Sequence, residues 1–519
     1  MNIRTEVLII GGGATGAGIA RDLSLRGIPC LLIERGDFLS GASGRNHGLL
    51  HSGGRYAVSD PEAARECIAE NRIHKRIAPH CIEPTDGLFV SLPEDGLQFR
   101  DRFLKACEET EIPTTLLSRD EALALEPDLN PDLLSAIRVP DGAIDPFTLV
   151  MGNIRDAGKR GAKFLTHTEI DSLTLDKGVV KTVRTRDLFH GEPHLIEASY
   201  FVNATGAWTN SFLAFAGVRI PLALSKGSLL VTNQRISHRV INRCRPASDG
   251  DIIVPNKTVS ILGTTSIRAS DADSAEASPP EIDLLIQETS RMVPKIGQAR
   301  FIRAYAGIRP LFQSEEKGDD RFISRGFYLI DHEKRDGIKN LLTITGGKFV
   351  TYRLMAEKVS DLLCRKMGIC IPCSTHRAPL PGPGQQEGLK SKGCLVPSRR
   401  GEIICDCERI RRDEVEEFLG DERVKDLQDI LHRTRLAKGT CQGGFCIYRL
   451  LGTLHEMGMA RGETNRTLRG LLEERWRGIR PILWGTALKE EELIEAIYKE
   501  LFNVGEFCRD PDTQTSDIS

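Results

Sequence analysis

A chain of 519 residues exceeds what one ordinary hydrophobic core supports, so two or three domains are expected. With 40% hydrophobic and 27% charged residues, the composition is that of a globular protein, neither disordered nor fibrous. A formal charge of −2 excludes a global electrostatic case for nucleic-acid binding.

Met1-Asn2-Ile3-Arg4 passes straight into a strand, which leaves no room for a signal peptide, so export is not expected. No run approaches the roughly 20 uncharged apolar residues of a membrane-spanning helix, so membrane association would be peripheral or through a partner. The first 35 residues read strand (Glu6 to Ile10), Gly-rich turn, helix (Ala14 to Leu25, ended by Gly27) and strand (Pro29 to Glu34). Helices are expected over Glu70 to Ala78 and Asp101 to Glu109, and strands over Ala198 to Asn203 and Leu341 to Thr345. Short β-like runs such as Ser228 to Thr232 and Thr258 to Leu262 suggest an antiparallel substrate-facing layer inserted into a nucleotide fold. His376 to Arg400, with Pro379, Pro381, Pro383 and Pro397, reads as a linker. A cysteine module and a helical tail from about Thr464 to Asn503 follow.

Gly11-Gly12-Gly13-Ala14-Thr15-Gly16 follows a strand, opens a helix and precedes a second strand ending in Glu34, the full context of a dinucleotide fingerprint. Gly11 permits the turn, Gly13 admits a pyrophosphate, and Gly16 lets helix and strand pack. The helix N-terminus offers N–H donors to phosphate, and Glu34 accepts from the adenosine ribose. Asn203-Ala204-Thr205-Gly206-Ala207-Trp208 and Gly346-Gly347-Lys348, each after a strand, favour FAD over NAD, the latter turn bringing backbone N–H groups near the far end of a flavin. A separate NAD site is not expected from a single fingerprint.

Basic residues beside glycines or prolines form a second set: His51-Ser52-Gly53-Gly54-Arg55-Tyr56, Gly307-Ile308-Arg309-Pro310, Ser324-Arg325-Gly326 and Lys348. Arginine forks hold phosphate or carboxylate bidentately and lysine adds a point charge, so an anion pocket is expected. A lone arginine would instead be a solvated surface group.

Fourteen cysteines include one tight group, Cys405-x-Cys407, 33 residues, then Cys441-x4-Cys446. Four thiolates suit a [2Fe–2S] cluster or zinc, and the CxC half fits zinc knuckles poorly. Free or redox-active thiols are the remaining reading. Cys364, Cys370 and Cys373 form a looser group. Cys30, Cys67, Cys81, Cys107, Cys244, Cys394 and Cys508 are scattered and are expected to be buried as small hydrophobes.

The chain resembles the family of A-type subunits of anaerobic glycerol-3-phosphate dehydrogenase over almost its whole length. Gly44-Arg45-Asn46-His47-Gly48-Leu49-Leu50-His51-Ser52-Gly53, Lys226-Gly227-Ser228-Leu229-Leu230 and Ala304-Tyr305-Ala306-Gly307-Ile308-Arg309-Pro310 carry the resemblance. Gly346-Gly347-Lys348 with Thr351-Tyr352-Arg353, and Thr440-Cys441-Gln442-Gly443, add to it. Only the stretch from about Pro379 to Ile404 looks short beside the family pattern.

The resemblance implies an α/β fold: an FAD-binding Rossmann-like domain of the amino-acid-oxidase-like type over 1–375, with an inserted antiparallel β substrate domain. The FAD core would take about 1–75, 140–215 and 300–375, and the substrate layer about 76–139 and 216–299. After a linker at 376–400 would come a small helical [2Fe–2S] module at 401–455, of the bacterioferritin-associated-ferredoxin type, and a tail at 456–519.

It further implies oxidation of sn-glycerol 3-phosphate, with electrons relayed through companion B- and C-type subunits to membrane quinone, on the inner face of the cell membrane. By motif match, Gly11, Gly13, Gly16, Glu34, Ser43, Ala204, Gly206, Gly346 and Gly347 would hold FAD. Arg55, Tyr56 and Arg325 would hold substrate. Arg309 and Lys348 would act at the carbinol, with His51 beside the flavin. Cys405, Cys407, Cys441 and Cys446 would bind the cluster. The rival readings are a 2-hydroxyglutarate-type dehydrogenase or oxidase, whose carboxylate needs fewer basic groups, and a non-catalytic electron-transfer protein.

Overall fold

The computed structural model describes residues 2–312, 326–382, 401–419, 424, 426–458 and 461–497, save the side chains of 461–467. The apolar run Glu6 to Ile10 is the inner half of β1 (Asn2–Ile10), and α1 (Ala14–Leu25) leads to β2 (Cys30–Ile33). β1 lies parallel between β2 and Pro193–Asn203, the arrangement that its continuous buried run requires. These strands belong to an eight-stranded sheet that also contains Lys163–Leu165, the antiparallel pair Thr168–Asp176 and Val179–Asp187, and Leu341–Gly346 with Phe327–Asp331. α1 packs with Pro146–Lys159 and Tyr352–Met367 over one face of this sheet, burying Ala17, Leu23, Ile154, Val359 and Leu363.

The second sheet has nine strands in the order Ile267–Ala269, Leu222–Thr232, Val259–Gly263, Ile252–Asn256, Val240–Arg243, Gly87–Ser91, Ser135–Val139, Thr115–Leu117, with Phe301–Phe312 on Leu222–Thr232. It is not wholly antiparallel: Val240–Arg243 runs parallel to Gly87–Ser91.

The helix expected over Glu70 to Ala78 begins earlier and spans Pro61–Ile77. Asp60 caps it by accepting from the Ala63 N–H at 3.2 Å, and Pro61 occupies the first turn, where no N–H is needed. Within the segment read as a linker, Ala378 to Leu380 is docked: Arg21 donates to the Ala378 and Pro379 carbonyls, and the Leu380 N–H to Ile77 O. Residues 383–400 lie outside the described residues.

By internal contacts the chain divides into two units, one of Met1–Leu230, Arg235–Gln298 and Tyr305–Leu389, the other of Val231–Gln234, Ala299–Ala304 and Lys390–Ser519. In the second, the small ribbon Ile403–Cys405 with Ile410–Arg411 joins helices Arg412–Leu419, Leu427–Thr434 and Cys446–Glu456 around a core of Ile404, Val415, Leu436 and Leu450. The tail forms Arg461–Ile479 and Thr486–Ala496, interrupted near Pro481. No helix among the described residues is long and apolar enough to cross a membrane.

Candidate active site

At the end of β1 the chain turns through Gly11, whose φ of +111° only glycine adopts without strain. A Cβ there would stand 2.6 Å from the Ala204 carbonyl, and one at Gly16 would fall well inside contact with the Gly11 carbonyl. The fingerprint turn and the Asn203–Gly206 turn therefore touch backbone to backbone. Glu34 reaches under the same turn: its Oε2 accepts from the Gly12 N–H at 2.6 Å and its Oε1 from the Gly36 N–H at 2.9 Å. Burial pushes this carboxyl up, against the pull of those two bonds. Each carboxylate oxygen keeps a lone pair for a further donor such as a ribose hydroxyl. Ser43 Oγ accepts from the Ala14 N–H at 3.0 Å, so a hydroxyl already occupies one donor expected to face a phosphate.

These turns open on a cavity of about 1180 Å³. A drug-sized ligand fills roughly 300–1,000 Å³, so the space suits a dinucleotide with a small substrate. Gly11, Gly13, Glu34, Ser43, Ala204, Gly206, Gly346 and Gly347 line it, together with His51, Arg55, Tyr56, Arg309 and Lys348. Gly16 does not line it and acts through packing. At the far turn the Gly347 N–H donates to Gly326 O at 2.9 Å and the Lys348 N–H to Thr351 Oγ1 at 3.1 Å, so these two are satisfied within the protein. Arg325 lies outside the described residues.

The basic side chains are held differently. Arg309 donates from Nη1 to the Thr265 carbonyl at 3.2 Å and from Nη2 to Thr264 Oγ1 at 2.6 Å. Arg55 donates from Nη2 to Asp251 Oδ2 at 2.8 Å and to the Ser248 carbonyl at 3.2 Å. Asp251, fully buried, is also clasped by Arg245. Lys348 Nζ is buried without a hydrogen-bond partner among the described residues, 4.9 Å from the centre of the Tyr56 ring.

The His51 ring centre stands 5.5 Å from that of Tyr56 and 6.0 Å from that of His47. Burial, then the cations Arg309 and Arg55, hold His47 down to about 3. Burial, then His47, Arg55 and Lys348, hold His51 well below its ordinary value. Both imidazoles are neutral at neutral pH. His47 Nδ1 accepts from the Leu49 N–H at 3.2 Å, so the proton of the neutral ring sits on Nε2.

In the second unit Cys405 and Cys446 are hydrogen-bonded, as are Cys407 and Cys441, and Cys446 also feels Cys441. The contact with Cys446 draws the Cys405 thiol down, while Cys446 is pushed up by the same bond and by burial. A Cβ at Gly439 would collide with Cys407, so glycine there lets the two segments meet. Cys405, Cys446 and the half-buried Cys407 share one small core, yet among the described residues no group of three or more His, Cys, Asp or Glu could hold a metal ion as arranged. The described cysteines are free, and Cys30, Cys67, Cys81, Cys107 and Cys244 are buried.

Sequence reasoning did not single out His47, Asp251 or Thr264 as site residues. His47 could have been found: it stands four residues before His51 in the stretch that carries the family resemblance. Asp251 and Thr264 gave no local signal.

The profile of the FAD dependent oxidoreductase family (DAO) matches residues 6–353. The A-type subunit of the anaerobic glycerol-3-phosphate dehydrogenase of Escherichia coli (strain K12) is 43% identical, covering 96% of this chain and 96% of its own length. Its counterpart in Haemophilus influenzae is 42% identical, covering 97% and 94%. The glycerol-3-phosphate dehydrogenase of Bacillus halodurans, solved in complex with FAD, shares the fold with a TM-score of 0.64 at 22% identity, covering 93% of this chain and 96% of that one.

Proposed function

The chain belongs to the FAD-dependent oxidoreductase family and, within it, to the A-type subunits of anaerobic glycerol-3-phosphate dehydrogenase, and we propose that it oxidises sn-glycerol 3-phosphate to dihydroxyacetone phosphate. The Lys348 ammonium carries this reading: it is buried without a hydrogen-bond partner among the described residues, in the cavity that Arg309 and Arg55 also line. Burying an ammonium without hydrogen bonds is costly, and an anion in the cavity would supply the missing acceptors.

The glycine turns and Glu34 fit FAD. Gly11, Gly13 and Ser43 would face its pyrophosphate, Glu34 its ribose, and Ala204, Gly206, Gly346 and Gly347 the remainder, with Gly16 keeping helix and strand in contact. FAD would supply the hydride-accepting chemistry for C2 of the substrate. Arg55, Tyr56 and Arg325 would hold the phosphate, and removing one such arginine is expected to cost about 2–3 kcal/mol of binding. Arg309 and Lys348 would stabilise negative charge developing on the C2 oxygen. Neutral His51 would accept the hydroxyl proton, while the Nε2–H of His47 would serve only as a hydrogen-bond donor and transfer no proton.

In this reading Cys405, Cys407, Cys441 and Cys446 would hold a [2Fe–2S] cluster, which would supply one-electron chemistry; residues 376–400 would link the flavin domain to this module at 401–455. Electrons would then reach membrane quinone through companion subunits at the inner face of the membrane. The first test is anaerobic: sn-glycerol 3-phosphate is added to the flavin-loaded protein and the visible flavin band is followed, with D- and L-2-hydroxyglutarate alongside. Prompt bleaching by glycerol 3-phosphate alone is expected. Bleaching only by a hydroxy acid overturns the substrate assignment.

A further inference from the structure

Lys226-Gly227-Ser228 does not line the cavity, yet it forms one wall of the seat in which Arg309 lies. A Cβ on Gly227 would collide with Arg309 Nη2, so this strand and the guanidinium are in close contact. A second wall is Thr264 and Thr265, which accept from Nη2 and Nη1. One buried carboxylate ties these walls together. Glu281, 4% exposed in the first turn of Pro279–Met292, accepts at Oε1 from Ser228 Oγ and Thr265 Oγ1, both at 2.8 Å. Its Oε2 accepts from Lys226 Nζ at 2.8 Å and from the Ser278 hydroxyl and N–H at 2.7 and 3.0 Å. Thr265 Oγ1 also accepts from the Ser228 N–H at 2.9 Å, closing the ring.

We infer that Glu281 is a positioning residue for Arg309: by fixing Ser228 and Thr265 against each other it sets where the guanidinium points in the cavity. Resting as it does on the proposed role of Arg309, this assignment adds a residue that touches neither substrate nor cavity. The Glu281 charge is met by Lys226, so its influence passes through Thr265 rather than by pairing with Arg309. A glutamine could not replace it, because its amide NH₂ would face donors where the carboxylate offers only acceptors.

The test is a double-mutant cycle on the flavin-loaded full chain, made from Glu281→Gln and Arg309→Lys and read as the anaerobic rate of flavin bleaching at saturating reductant. Glu281→Gln is expected to lower the limiting rate about 10-fold or more, because small misplacements near reacting atoms are amplified. Half-saturation should move much less, and flavin content should be unchanged. The double variant should be no slower than Arg309→Lys alone, since coupled residues are non-additive. A limiting rate within about twofold of wild type, or factors that multiply, overturns the assignment. Should Glu281→Gln fail to fold, Thr265→Val cuts the same link with the carboxylate left in place. Whichever compound bleaches the wild type serves as reductant, so a failed glycerol 3-phosphate assignment is seen in the wild type alone and the cycle still judges Glu281.

Discussion

Lys348 Nζ stands 4.9 Å from the centre of the Tyr56 ring and has no hydrogen-bond partner among the described residues. An aromatic face offsets part of a buried cation's cost, on the order of 0.5–2 kcal/mol, and leaves the ammonium's three N–H donors for a ligand. Lys348→Met therefore separates function from stability. Without substrate the variant should melt no lower than wild type, and higher where relief of the unsatisfied group, about 1–3 kcal/mol, exceeds the lost ring contact. It should retain flavin but reduce it about 100- to 1,000-fold more slowly with glycerol 3-phosphate. Thermal melts and anaerobic stopped-flow check the two halves. A variant that melts well below wild type would show that Lys348 is a structural cation.

Gly16→Ala probes the nucleotide turn instead. The added Cβ falls inside contact with the Gly11 carbonyl, which is backbone and cannot rotate away. The first turn of α1 must shift from β1, and with it the Ala14 N–H held by Ser43 Oγ at 3.0 Å. A loss of about 1–3 kcal/mol in stability and release of flavin on gel filtration are expected. Full flavin occupancy would mean that the turn tolerates the strain.

The contrast between these sites shows what the sequence could disclose. The fingerprint is local: Gly11, Gly16 and Glu34 lie within one βαβ unit, so spacing alone places them. The grip on Arg55 joins residues 196 positions apart, and that on Arg309 joins residues 44 and 45 apart. Spacing could propose an anion pocket, but only the folded chain shows that Arg55 is already paired with buried Asp251 while Lys348 Nζ has no hydrogen-bond partner among the described residues. The early start of Pro61–Ile77 has a local cause in Asp60-Pro61, a capping signal that hydrophobic periodicity alone does not register. The parallel pairing of Val240–Arg243 with Gly87–Ser91 was not, because a short apolar strand carries no mark of its partner's direction.

His47 gives a pH prediction. Its folded value, about 3, lies below the ordinary 6.5, so between these values the unfolded chain binds the extra proton. Stability is therefore full above about pH 6.5 and is lost as pH falls towards 3, at up to roughly 1.4 kcal/mol per pH unit for one group. His51 is displaced in the same direction and adds to the slope. His47→Asn should flatten the fall in melting temperature between pH 6.5 and 4.5 relative to wild type. Parallel curves would show that His47 is protonated in the folded protein.

The cysteine module is tested by separating its role from that of the flavin. Cys441→Ser replaces one of the four proposed ligands, a residue that touches Cys407 and does not line the flavin cavity. Anaerobically purified wild type should contain iron and acid-labile sulfide at about two of each per chain, as a [2Fe–2S] cluster requires. The variant should lose most of both, because a serine hydroxyl is a poor substitute for thiolate. Flavin bleaching by glycerol 3-phosphate should stay within about twofold of wild type, while reduction of a one-electron acceptor slows at least 10-fold, since only the latter calls on the cluster. Zinc in place of iron in the wild type would overturn the redox assignment and leave the module a structural one.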